Sequence, residues 1–81
     1  MNQTIFPCYR KLRNDKSFYK ISGEQTFTEI QCVGNQHFQI EIIASKYPET
    51  ILIQDMLNKR EIYEISTEEE FNTIEDKLDD K

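Results

Sequence analysis

The chain has 81 residues, of which 37% are hydrophobic, 31% are charged and 11% are aromatic, and its formal net charge is −5. A chain of this length forms at most one domain, 1–81, and buries roughly 60–65% of the surface that it exposes when unfolded. Its aromatic and β-branched content excludes a disordered protein, and apolar runs of at most three residues exclude a membrane-spanning helix, which needs about 20.

The charges of this acidic protein lie unevenly along the chain. Residues 1–20 carry five cations and one acid, a net +4, whereas residues 61–81 carry nine acids and two lysines, a net −7. Overall acidity disfavours long-range attraction to nucleic acids and to anionic lipids. The basic segment at residues 1–20 can still attract such anionic ligands locally.

The two cysteines, Cys8 and Cys32, are too few for the disulfide framework of a small secreted protein. The N-terminal residues also lack the basic and apolar regions of a secretory signal. We therefore predict a cytoplasmic protein with two reduced thiols. A single disulfide between them is an alternative that the sequence leaves open.

In chain order, the first predicted element is a basic β-hairpin made of strands 9–13 and 17–21. Asn14 and Asp15 lie between the strands, and both residue types tolerate tight-turn geometry. The many cations of the first strand make it unusually polar for a sheet.

The pattern then indicates a short helix at 24–33. Ser22 can cap it, Phe27, Ile30 and Val33 recur at every third position, and a glycine follows where helices often end. The two threonines within this stretch favour a helix less, so an irregular turn or a strand is the alternative.

An internal similarity supports the helical interpretation. Residues 18–31 align with 62–75 with six identical pairs among fourteen, and both segments read as a strand, a capping serine and a helix. Duplication would produce such a match, and so would convergence on the residues that any strand–helix junction needs. Under either explanation the match favours a helix at 23–33.

Three strands follow. Residues 37–44 alternate, with Phe38, Ile40 and Ile42 on one face, which is typical of a strand covered on one side. We predict that residues 50–55 form the next strand, buried on both faces, and that 61–65 form the last.

A C-terminal helix at 67–79 completes the fold. Thr67, or Ser66 before it, caps the helix; Thr67 and Glu70 fit a capping box. Phe71 and Ile74 begin its apolar stripe, which Leu78 continues. Together the elements predict an α+β fold: a small two-layer domain whose antiparallel sheet of about five strands (9–13, 17–21, 37–44, 50–55, 61–65) is covered on one face by the short helix 24–33 and the C-terminal helix 67–79.

The sequence contains few residues for catalysis or metal binding. His37 is the only histidine, and with the two cysteines it supplies three ligands at most, whereas structural zinc takes four at close paired spacings. Cys32 lies near His37, but at the end of the predicted helix the dipole opposes thiolate formation. We therefore predict no metal, no cofactor and no enzymatic activity.

Two functions remain as hypotheses. The first is a protein-interaction or accessory module that binds another protein or itself, with no membrane partner; exposed edge strands would offer a docking route. The second is single-stranded nucleic-acid binding, in which cations contact phosphates and aromatic rings stack on bases. Its candidate residues lie on the basic hairpin 9–20: Tyr9, Arg10, Lys11, Arg13, Lys16 and Lys20. The alternative for this hairpin is that its aromatic residues belong to the core and its cations pair with the acidic last helix.

Overall fold

A computed structural model describes residues 5–78 of the chain. The elements are β1 (Cys8–Leu12), β2 (Ser17–Ile21), β3 (Thr26–Val33), β4 (Gln36–Ile43), α1 (Tyr47–Asn58), β5 (Tyr63–Ile65) and α2 (Glu68–Asp76). The strands form one sheet in the order β4-β3-β2-β1-β5, and every neighbouring pair is antiparallel. The predicted α+β class, with about five antiparallel strands and two helices, is confirmed.

Tight turns join the first four strands into a meander. Asp15, between β1 and β2, has a φ of 61°, a left-handed conformation that Asp and Asn adopt more readily than most residues. The side-chain oxygen of Asn14 accepts a 2.9 Å hydrogen bond from the N–H of Lys16 and stabilises the same turn. Gly34, between β3 and β4, also has a φ of 61°, which costs glycine nothing because it lacks a Cβ.

The prediction of a helix at 24–33 is wrong, because most of this segment is β3. Phe27 and Ile30, whose spacing suggested one helical stripe, lie on opposite faces of the strand, since side chains alternate there. Both are buried, at 1% and 0% exposure. β3 pairs with β2 on one side and β4 on the other, and a strand in the middle of a sheet can bury apolar residues on both faces.

The similarity between 18–31 and 62–75 does not correspond to one shared structure. The second half of the first segment is β3, whereas the second half of the other segment is α2. The inference from this match that residues 23–33 form a helix is therefore wrong. Similar local sequences take different structures here because one pairs with neighbouring strands and the other packs on a sheet.

The prediction of a strand at 50–55 is also wrong, because these residues lie inside α1. Pro48 occupies the first turn of the helix, where a missing N–H costs nothing. The Glu49 carboxylate accepts a hydrogen bond of 3.3 Å from the Lys46 N–H. Ile53 and Met56, one helical turn apart, are buried at 0% and 1% exposure, so the apolar run reflects a helix face rather than a strand buried on both sides.

The two helices pack on opposite faces of the sheet. Phe71 of α2 contacts the face that carries Phe18 of β2 and Ile30 of β3, so the C-terminal helix packs as predicted; its predicted last residue, 79, lies outside the described part of the chain. α1 instead contacts the opposite face, which carries Tyr19 of β2. The predicted arrangement has both helices on one face. The difference arises because the central strands are apolar on both sides, and each side needs a cover.

Candidate interaction surfaces

The residues of the predicted basic binding surface lie on β1, on β2 and in the turn between them. Strand alternation divides them between two faces: Tyr9 and Lys11 lie on the face covered by α2, whereas Arg10 lies on the face covered by α1. Lys20 is half-buried opposite Tyr9, and Lys16 is exposed in the turn. The hairpin therefore does not present its cations as one continuous surface.

Lys11 pairs with the acidic last helix. Its Nζ lies 2.9 Å from Oε2 of Glu70 and 3.2 Å from Oδ1 of Asp15. Hydrogen bonds to these carboxylates, Glu70 first, raise the pKa of Lys11 above its ordinary value. The pairing that we considered as the alternative to ligand binding is present in the structure.

Glu70 has a different role from the one that the capping box predicts. Thr67 caps α2 as expected, because its Oγ1 accepts a 3.1 Å hydrogen bond from the Glu70 N–H. The Glu70 carboxylate instead accepts hydrogen bonds from the Ser66 hydroxyl and from Lys11. These two donors, the Ser66 hydroxyl foremost, lower the pKa of Glu70. The helix start is thus tied to β1 as well as capped.

The remaining β1 candidates also make contacts within the fold. Arg10 donates from Nε to the Met56 carbonyl at 3.0 Å, at the α1 side of the sheet, and from a terminal nitrogen to the Tyr9 carbonyl at 2.8 Å. The Tyr9 ring lies 5.8 Å from the Phe71 ring, centroid to centroid. Arg13, in the turn directly after β1 rather than in the strand predicted for it, approaches Glu64 at 3.8 Å and is mostly exposed. A ligand would find Arg13 and Lys16 more accessible than Arg10 and Lys11.

The strand pairing brings Cys32 and His37 together, which the sequence analysis did not foresee. They are directly opposite each other in the β3–β4 ladder, so the helix-end argument against a reactive thiol does not apply. Burial raises the pKa of the Cys32 thiol, and a raised pKa disfavours the thiolate that catalysis needs. Cys8 contacts the core on the α1 face, whereas Cys32 contacts the α2 face, and both thiols are free.

No cluster of at least three residues with metal-binding side chains (His, Cys, Asp or Glu) occurs among residues 5–78. A cleft of about 410 Å³ opens beside the C-terminal end of β4 and contains one ionisable side chain, that of Glu41. A second cleft of about 680 Å³ is lined by Phe6, Glu24, Gln25 and Thr26. Neither cleft combines the Cys32 thiol with the His37 imidazole.

The surface that the sequence analysis missed is the free edge of β4. Within residues 5–78 the sheet has two edges, because β4 and β5 each pair with a single strand. β5 is three residues long and carries Glu64, two features that protect an edge from unwanted pairing. β4 is eight residues long, with Glu41 as its only residue among Asp, Glu, Lys and Arg. It lacks the lysines and prolines that usually protect a long edge.

The apolar side chains near this edge are only partly covered. Phe38 and Ile40 are 46% and 39% exposed, and Ile43 is 70% exposed. We predicted a buried face for this strand, but α1 reaches Ile42 and leaves the two earlier residues open. One signal was available in the sequence: 30–43 contains a single formally charged residue in a chain that is 31% charged.

No helix within the described residues has the length and apolarity required to cross a bilayer. The chain matches no family model, no curated protein and no solved structure.

Proposed function

We propose that this protein is a small, non-enzymatic interaction or accessory module whose partner, another protein or a second copy of the chain, adds a strand to the free edge of β4. The observation that supports the proposal is the combination of length and composition: eight residues with a single carboxylate and exposed apolar side chains. A long, exposed, apolar edge is a template for strand pairing. The other edge strand of the sheet, β5, has three residues and offers fewer backbone groups to a partner strand.

The backbone of β4 offers hydrogen-bonding groups to such a partner. The Cys32 N–H donates to the carbonyl of Lys16, the residue directly before β2, so it points away from β4, and Cys32 and its opposite residue His37 do not bond each other. Alternate residues of β4 therefore direct their N–H and C=O groups away from β3. These residues are His37, Gln39, Glu41 and Ile43. Main-chain bonds to them would supply affinity, and the side chains of the strand would supply specificity.

The apolar side chains give the partner a surface to cover. Phe38 and Ile40 point to the α1 side of the sheet and lie next to the edge. An added strand with apolar residues at matching positions would remove both from water. Burial of that kind is the main favourable contribution to protein association. We also place the module in the cytoplasm, a setting suited to two free thiols.

Single-stranded nucleic-acid binding through the hairpin 9–20 stays a prediction with less support. Lys11 is already paired with two carboxylates, and Arg10 with two carbonyl groups. A ligand phosphate would have to compete with these contacts. We expect fluorescence titration with short single-stranded RNA and DNA at low salt to show no salt-sensitive binding, and such binding would restore this alternative.

Site-specific photo-crosslinking in cells tests the docking proposal. We would place a photoreactive phenylalanine analogue at Gln39, whose backbone faces the free edge, and at Ile62 as a control of comparable exposure to the edge residues, at 45%. Position 39 should give a discrete covalent adduct, position 62 should give none, and Phe38→Lys should abolish the adduct of position 39. Equal labelling from both positions, or an adduct that Phe38→Lys leaves unchanged, would contradict the proposal.

A further inference from the structure

We infer that the strand bound by β4 is β4 of a second copy of this chain, so that two five-stranded sheets join into one continuous sheet. This inference rests on the proposed docking edge and names its partner. It follows from the register in which β4 can pair with itself. In that register, groups of complementary chemistry face each other at every position near the centre of the strand.

The register is set by which backbone groups are free. In an antiparallel pair, residues whose N–H and C=O groups point toward the partner lie opposite one another. The free groups of β4 belong to odd-numbered residues, as the β3–β4 ladder and the Cys32 hydrogen bond indicate. A two-fold axis through Gln39 places this residue opposite the Gln39 of the second copy. Every other pair in the interface is then determined.

Two of these pairs carry the complementarity. His37 lies opposite the second copy's Glu41 on the α2 side of the sheet, where an imidazole N–H can donate to the carboxylate. Phe38 lies opposite the second copy's Ile40 on the α1 side, as a pair without mutual backbone bonds, the type in which side chains come closest. Aromatic and β-branched residues stabilise each other across strands. The two-fold symmetry makes each pair occur twice.

Neighbouring registers lack this match. Moving the axis by one residue along the strand, to Ile40 or Phe38, still pairs free backbone groups with free backbone groups. It places His37 opposite Ile43 or Gln39 of the second copy, and in neither case does the imidazole meet Glu41. The His–Glu pair therefore selects the register centred on Gln39.

The charge of the chain is compatible with this dimer. Each copy carries −5, and two copies repel each other in general. In the joined sheet the order of strands places the two β5 edges, with Glu64, at the two ends furthest from the interface. The acids between 61 and 65 are thus as far apart as the sheet allows. The interface itself contains one acid per copy, and that acid faces an imidazole.

Charge-reversal variants of the full chain test the inference by sedimentation velocity over roughly 1 µM to 1 mM, a range suited to a small interface. The wild-type chain should change from monomer to dimer within this range. His37→Glu places two like-charged pairs in the interface and should weaken the dimer at least about tenfold. Glu41→Lys should also weaken it, and the double variant His37→Glu/Glu41→Lys should restore it to within about threefold. Glu61→Lys makes the same charge change as Glu41→Lys, but outside the interface, and should not weaken the dimer.

Gln39→Pro provides a second, independent variant. Proline removes an N–H that faces the free edge and leaves the β3–β4 bonds intact, as edge strands allow. It should abolish the dimer while circular dichroism shows an intact fold. A dimer that survives Gln39→Pro, or that the double charge variant fails to restore, would overturn the inference.

The results distinguish a failure of this inference from a failure of the proposed function. A wild-type chain that stays monomeric throughout, together with a crosslink from Gln39 to a different protein, overturns the second-copy inference and retains the docking edge. A monomeric chain without any Gln39 adduct overturns both.

Discussion

The contact between Lys11 and Glu70 decides whether the basic strand serves the fold or is free for a ligand. We would replace Lys11 by Met and Glu70 by Gln, singly and together, because both replacements keep the length of the side chain and remove its charge. The double-mutant cycle isolates the energy that the two side chains exchange. Lys16→Met is a matched control, since Lys16 is an exposed cation in the adjacent turn.

The expected magnitude follows from the exposure of the partners. The Lys11 side chain is 18% exposed and the Glu70 side chain is 37% exposed, with 2.9 Å between the charged atoms. Hydrogen bonds to charged groups contribute about 1.5–3 kcal/mol when they are buried, whereas exposed ion pairs contribute about 0.2–1 kcal/mol. A partly exposed pair should lie between these limits, and we expect a coupling of about 0.5–1.5 kcal/mol. The contact with Asp15 adds less, because Asp15 is 62% exposed.

Urea unfolding followed by circular dichroism measures this coupling, with the free energy of unfolding extrapolated to zero denaturant. An 81-residue domain should have a total stability of about 4–12 kcal/mol, so the expected loss is measurable. Lys16→Met should change the stability by less than about 0.5 kcal/mol. A coupling below about 0.3 kcal/mol would refute the pairing and would make Lys11 available for nucleic acid.

Three further predictions concern stability. Phe71→Ala should lower the free energy of unfolding in urea by about 3–5 kcal/mol, because Phe71 is 2% exposed and anchors α2. Asn72→Ala, at the exposed neighbouring position, should lower it little. Similar losses of stability in the two variants would contradict the packing of α2. The Ser66 and Lys11 hydrogen bonds lower the folded-state pKa of Glu70 below its ordinary value. Their stabilisation is therefore present above the ordinary pKa of the unfolded chain and is lost as the pH falls through the lower folded-state pKa. Glu70→Gln should flatten this part of the stability profile, and an unchanged profile would exclude the linkage. Gly34→Ala should lower the midpoint of thermal unfolding more than Gly23→Ala, because Gly34 has a φ of 61°, and the reverse order would contradict the turn geometry.

Local sequence signals were sufficient for the elements whose contacts are mostly within themselves. α2 was predicted because Thr67 caps it and Phe71 and Ile74 share one face, and neither feature depends on the rest of the fold. The hairpin of β1 and β2 was predicted because Asn14 and Asp15 suit its turn. Side-chain chemistry within a few residues determines such elements.

The identities of β3 and α1 could not be assigned in the same way. Phe27 and Ile30 fit one face of a helix as well as two faces of a strand, and the apolar run from Ile51 to Ile53 fits a strand as well as a helix. In both cases, whether the segment forms a helix or a strand depends on which other elements pack against each of its sides. Pro48 was a local signal for a helix start, which we did not use.

The candidate site shows the same division. The sequence by itself determined the α+β class, the final helix and the separation of basic and acidic segments, because composition, caps and periodicity are local properties. Only the tertiary structure decided that Lys11 pairs with Glu70, that Cys32 lies opposite His37 in the sheet, and that β4 lies at an edge with Phe38 exposed. The physical reason is that exposure and pairing depend on which strands become neighbours, and strand order is a property of the whole folded chain.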